Sequence, residues 1–135
     1  MQHLRLVPLF LLSILLCSCI DDDDATPVCS QADWIGFYEG NQTCGTVEMP
    51  VEVNLSAAGT NAIFLQYSTD SASVSYVRPI GLDNCTIDYV RSELFIPVRL
   101  NITAELRGDE LSFRDVLSDS DTLVSDCTFS VTKVN

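Results

Sequence analysis

The sequence predicts an all-β domain, an antiparallel meander of seven or eight strands that closes into a barrel or folds over as a β-sandwich. Three observations predict it. Apolar residues recur at every second position, best over Val47, Met49, Val51, Val53 and Leu55 and over Leu94, Ile96, Val98, Leu100, Ile102, Ala104 and Leu106. Turn chemistry separates such stretches at short intervals: Ala58-Gly59-Thr60-Asn61, Gly81-Leu82-Asp83-Asn84 and Gly108-Asp109. After residue 18 no stretch keeps a 3.6-residue period over three turns. A meander of that strand count must close or stack in two layers, because an open sheet leaves its edges unpaired.

The elements follow in order. Trp34 to Gly40 reads as the opening strand, whose Gly36 and Gly40 let it bend or let another backbone approach. Between Val47 and Ser56 the polar positions are Glu48, Pro50, Glu52, Asn54 and Ser56, so this strand is half-buried with Pro50 outward. Ala62 to Tyr67 returns as a strand, a weaker one runs through Val74 and Tyr76 towards Ile80, and Cys85, Ile87 and Tyr89 alternate again. The run from Glu93 to Arg107 exceeds an ordinary strand, so a bend near Pro97 to Asn101 is expected to divide it. Gly108-Asp109 closes a hairpin into Leu111-Ser112-Phe113, and Thr122 to Val134 closes the domain with Cys127, Phe129 and Val131 on one face. The interior expected from these parities contains Val51, Val53, Leu55, Ile63, Leu65, Ile87, Ile96, Val98, Ile102, Phe113 and Phe129.

The amino-terminal segment is an address. Arg5, an apolar run from Leu6 to Leu16 broken by Pro8 and Ser13, and the small residue Ser18 compose a secretory signal. The run is shorter than the roughly 20 residues a spanning helix needs. Leu16-Cys17-Ser18-Cys19 resembles the lipobox of bacterial lipoproteins. That resemblance implies removal of residues 1–18 and lipidation of Cys19 by palmitate and related chains, which makes the membrane a partner through a covalent anchor. At about 0.8 kcal/mol per buried methylene, two or three chains on one cysteine hold effectively permanently.

The run Asp21, Asp22, Asp23 and Asp24 resembles the surface-export signal of Bacteroidetes lipoproteins, which implies an outer-membrane protein facing the exterior. The same four charges also form a self-repelling, extended spacer. Residues 19–33 are therefore expected to be an acidic flexible tether, and residues 34–135 the β-barrel domain.

Composition narrows the chemistry. The mature chain of 135 − 18 = 117 residues keeps 19 acids and 6 cations, a formal charge of 6 − 19 = −13. Its cations stand singly, without the basic stripe that nucleic acid requires. The one histidine, His3, lies in the signal, so no Ser-His or Cys-His nucleophile and no histidine-ligated metal site can be built. The paired carboxylates, Asp109 with Glu110 and Asp119 with Asp121, fall in predicted turns, where Asp serves local backbone hydrogen bonds. A calcium loop would also need a glycine and a bidentate Glu that are absent from them. A non-catalytic protein without metal or cofactor is expected.

Gly36-Phe37-Tyr38-Glu39-Gly40 with Cys44, Ile96-Pro97, Leu106-Arg107-Gly108-Asp109-Glu110-Leu111 and Cys127-Thr128-Phe129-Ser130-Val131-Thr132-Lys133 together resemble the small lipocalin-like lipoproteins common in Bacteroidetes. The likeness covers nearly the whole mature chain, with shorter central loops and two additional cysteines. It implies a lipocalin-like β-barrel at the cell surface, with a cysteine on the first and on the last strand and no assigned activity. In a closed meander those strands are antiparallel neighbours. Joining Cys44 to Cys127 sets Phe37 opposite Val134 and leaves Cys29 for Cys85, one of three connectivities open to four cysteines in an oxidising compartment.

Asp70-Ser71-Ala72 and Asp121-Thr122-Leu123 resemble the Bacteroidetes O-glycosylation motif, which implies sugars on Ser71 and Thr122. The function expected is binding of one small apolar ligand inside the barrel, neutral or cationic given the acidic exterior. The alternative is a structural or masking envelope protein without a ligand.

Overall fold

A computed structural model describes residues 27–92, 97–120 and 122–134. Cys19, Asp21 to Asp24, Leu94 to Ile96 and Asp121 lie outside the described residues.

The described residues form an antiparallel meander of nine strands with one short helix. In order these are α1 (Gln31–Trp34), β1 (Gly36–Cys44), β2 (Val47–Ala57), β3 (Ala62–Ser68), β4 (Ser73–Ser75), β5 (Ile80–Gly81), β6 (Thr86–Ser92), β7 (Val98–Arg107), β8 (Glu110–Asp119) and β9 (Thr122–Val134). The sheet runs β4-β3-β2-β1-β9-β8-β7-β6, with β5 paired to β3, and curls strongly into a lipocalin-like half-barrel. One more strand forms than the seven or eight expected, because the stretch from Val74 to Ile80 splits. Pro79 has no amide hydrogen to continue a ladder, and β4 and β5 are left with three and two residues.

The first and last strands are neighbours, in register from Phe37 opposite Val134 to Cys44 opposite Cys127. Gly40 makes this closure sterically feasible. A Cβ there would lie 2.2 Å from the Ser130 carbonyl oxygen and 2.7 Å from Val131 Cα, so no side chain fits while β9 stays in place.

Two boundaries differ from expectation. β7 begins at Val98, directly after Pro97, because the imide cannot donate to the ladder. The other concerns the tether, whose last part is folded protein. Cys29 is bonded to Cys85, its amide donates to Asn84 Oδ1 at 2.7 Å, and Asn84 Nδ2 donates to the Pro27 carbonyl at 2.9 Å. Ser30 and Asp33 then cap α1, with the Ser30 amide donating to Asp33 Oδ2 at 2.6 Å. Residues 27–33 thus belong to the domain, which starts before Trp34.

The interior is filled. Phe113 stacks on Phe129 with centroids 3.8 Å apart, and Tyr67 meets Phe129 edge-on at 4.8 Å. Trp34 and Tyr38 are fully buried at one end. Between Trp34, Leu55, Ile63, Ile87, Ile102 and Phe113 about 10 Å³ remains, at the lower limit for one water. Phe37 and Phe64, whose aromatic rings could have lined a cavity, face outward.

Candidate functional site

The barrel has two unlike ends. At one, α1 lies across the opening: Gln31 Nε2 donates to the Gly59 and Ala62 carbonyls at 2.7 and 2.6 Å, and Trp34 Nε1 donates to the Asn84 carbonyl at 2.9 Å. Lys133 Nζ donates to the Asp33 carbonyl at 2.7 Å, so the described chain enters and leaves at this plugged end. The β1–β2, β3–β4 and β8–β9 connections lie at the other, open end, because successive strands alternate in direction.

The inner face of the open end carries a buried acid. Asp115 follows Leu111 and Phe113 on the inward parity of β8 and is only 5% exposed. Tyr67, on the parity of Ile63 and Leu65 in β3, reaches across the interior and donates its hydroxyl to Asp115 Oδ2 at 2.9 Å. Tyr76, just after β4, donates to the same oxygen. In register Asp115 stands between Cys127 and Ile102, so the Cys44–Cys127 disulfide is its neighbour on one side. Gln42 lies two residues before Cys44, also inward and 7% exposed. Its Nε2 donates to Cys44 Sγ at 2.7 Å, while its Oε1 is buried without a hydrogen-bond partner among the described residues.

Electrostatics set this group apart. The ion pairs Arg107–Glu105 at 2.8 Å and Arg114–Asp126 at 2.6 Å lie at the surface, and neither includes Asp115. Burial first, then the adjoining Asp115 charge and its hydrogen bonds, pushes the Tyr67 and Tyr76 hydroxyls far above the ordinary phenol range. At the plugged end burial, helped by Asp109 and Asp33, pushes Tyr38 up to about 12.

These shifts have a measurable sign. A folded-state pKa raised above the unfolded one contributes stability fully present below the unfolded value, near pH 10 for phenol, and lost as pH rises through the folded one. Alkaline titration followed by tyrosinate absorbance is therefore expected to show Tyr38, Tyr67 and Tyr76 ionising together with unfolding. Stability should fall from about pH 10 upward. Ordinary ionisation of all 4 tyrosines in a chain that keeps its circular dichroism would contradict the buried assignment.

The residues singled out in the sequence are distributed over both ends. Cys44–Cys127 and Cys29–Cys85 are both bonded, with S–S distances of 2.03 and 1.99 Å. The first lies at the open end and the second at the plugged one. Ser71 is exposed in the β3–β4 turn, where the Thr69 amide donates to the Ala72 carbonyl at 2.8 Å, and Thr122 is exposed at the start of β9. Asp109 and Glu110 sit at the plugged end and Asp119 at the open end, all exposed, so these three carboxylates do not converge.

Asp115 and Gln42 escaped the sequence reading. The hairpin after Gly108 is read on Leu111-Ser112-Phe113, with no role assigned to Asp115 beyond them. An acid on the parity of Leu111 and Phe113, and an amide on that of Tyr38 and Cys44, are the signals that mark both.

No family model matches the chain, and no curated protein matches it in sequence. Among solved structures it is similar to a protein of unknown function from the DUF3598 family of the cyanobacterium Nostoc punctiforme, with a TM-score of 0.58 at 9% identity. The match covers 81% of this chain and 51% of that one, so the chain spans about half the length of that protein. At this identity the likeness is one of fold.

Proposed function

We propose that the chain is a non-catalytic, lipid-anchored protein of the outer-membrane surface that binds a small ligand at the open end of its barrel. The observation that carries the ligand is Asp115, buried on the inner face of that end and held by two tyrosine hydroxyls. A few convergent polar groups among aromatic rings are what small-molecule sites are made of. With about 10 Å³ left in the core, the guest belongs at the rim and not among the apolar residues below it.

The anchor rests on the Ser18-Cys19 junction, the acidic run behind it and the likeness to Bacteroidetes lipoproteins. A lipid on Cys19 would hold the plugged end towards the membrane, since residues 27–29 meet the domain there. Asp115, Ser71 and Thr122 would then face outward, where glycans on the last two are within an enzyme's reach. The filled interior equally favours the second reading, an envelope protein without a ligand.

In the native host, palmitate labelling is expected to vanish in Cys19→Ala, and added protease should remove the domain from intact cells unless Asp21 to Asp24 are replaced by alanine. The purified lipoprotein should gain thermal stability with a ligand from a chemically broad library, by about 2.7 kcal/mol at a hundredfold excess over Kd. Exposure unchanged by the alanine replacement would remove the export role. A library without any saturable shift would leave the ligand-free reading ahead.

A further inference from the structure

We infer that the outer wall formed by β9, β1, β2 and β3 rests on lipid at the plugged end, with Phe37, Phe64 and Val134 set into the membrane interface. This rests on the lipid-anchor reading above and adds which wall of the barrel the anchor holds down.

The first argument is the placing of the three side chains. Successive residues of a strand point to opposite faces. Tyr38 and Ile63 point inward and are fully buried, so Phe37 and Phe64 beside them point outward, 63% and 37% exposed. Val134, 42% exposed, stands directly opposite Phe37 across the β1–β9 ladder. Phe64 lies beyond β2, opposite Ser56. Each is within three residues of the plugged end of its strand. The outward positions among them, Asn54, Ser56 and Gln66, carry no charge. Charge begins one row nearer the open end, where Glu39 stands opposite Glu52, about 7 Å along the strands from Phe37 and Asn54. Single exposed apolar residues are ordinary, but a cluster of them rimmed by polar groups marks a contact surface.

The second argument names what covers it. The described chain begins at this end with Pro27, and Cys19 lies 27 − 19 = 8 residues earlier, so a lipid there keeps the plugged end within about 30 Å of the membrane. The opposite wall carries Asp88, Glu105, Arg107 and Glu110 at outward positions of its plugged-end half, which suits water. One wall therefore faces lipid and the anchored barrel leans towards it. Amphipathic surfaces enter the headgroup and acyl boundary by about 5–10 Å, enough for the Phe37 row with the Glu39–Glu52 row left at the water side.

The area argues against a second copy of the chain. Three partly exposed side chains offer roughly 300 Å² of apolar surface at most. A stable protein interface needs about 800 Å² from each partner. A weak lipid contact suffices here, because the anchor already holds the two surfaces together at high effective concentration.

The test places the full lipoprotein in phosphatidylcholine nanodiscs with a nitroxide-labelled lipid and follows the side-chain NMR signals of valine and phenylalanine. Broadening is expected to be several-fold stronger at Phe37, Phe64 and Val134 than at Val47, Val90 and Val124, exposed side chains of the open half. Replacing Phe37→Asn and Phe64→Asn together, both outward, should reduce the broadening at Val134 several-fold while the lipid on Cys19 remains. Should that variant not fold, the comparison within the unaltered protein decides. Equal broadening in both sets, or none at Val134, in a protein whose intact mass includes the lipid would overturn the lipid face and leave the anchor standing. Natively expressed protein without lipid on Cys19 would remove the anchor and this face with it. Two copies in one disc with Phe37 shielded from the label would give the face to a second copy instead.

Discussion

Replacing Cys44 and Cys127 together by serine is expected to lower the unfolding free energy by about 4 to 5 kcal/mol. The bond closes a loop of 83 residues and so excludes most of the expanded conformations open to the unfolded chain. Domains of this size have roughly 5–15 kcal/mol in all, so the variant should stand near the edge of folding. Urea unfolding followed by the fluorescence of Trp34, the 1 tryptophan of the chain, measures it. The midpoint should fall and the slope should rise as the unfolded chain expands. A loss below about 1 kcal/mol would mean that the β1–β9 ladder closes the barrel without covalent help, against the loop-length expectation.

Trp34→Ala should cost about 3 to 5 kcal/mol, the range for deleting a large buried aromatic. The indole is fully buried, donates to the Asn84 carbonyl at 2.9 Å, and heads a residue whose own carbonyl accepts from the Tyr38 hydroxyl at 2.7 Å. Alanine would leave a cavity over Leu55, Ile63 and Ile87 and an unsatisfied acceptor at Asn84. Circular dichroism in urea is the readout, and Trp34→Phe should lose less because it refills most of the space. Equal losses in both variants would place the effect in the hydrogen bond rather than the volume.

Trp34 also shows where sequence reasoning ran short. Its helix is four residues long, Gln31–Trp34, and one turn cannot display a 3.6-residue period. The acids before it and the absence of an apolar period made the segment read as tether, and the Ser30–Asp33 cap appears only in the fold. Longer elements were legible because burial on one side imposes a period of two that β2 repeats at Val51, Val53 and Leu55. The β1–β9 register was legible for a different reason: two cysteines and two strand ends counted outward to the same place. Asp115 was hidden because polar residues on inward positions contradict the pattern used to find strands. The partners that satisfy it, Tyr67 and Tyr76, are 48 and 39 residues away.

The Cys29–Cys85 bond has a mechanical meaning. Tension on the chain ahead of Cys29 passes through the sulfurs to Cys85 and enters β6 at Thr86, bypassing α1 and the first five strands. No pull from that side can peel β1 away from its neighbours. The load falls on β6, which runs from the plugged end towards the open one and pairs with β7 from Thr86 opposite Glu105 to Ser92 opposite Arg99. A force taken up at the open end therefore acts along the strand. The 7 pairs of that ladder share the load in shear and must yield together, whereas a perpendicular pull would unzip them one at a time.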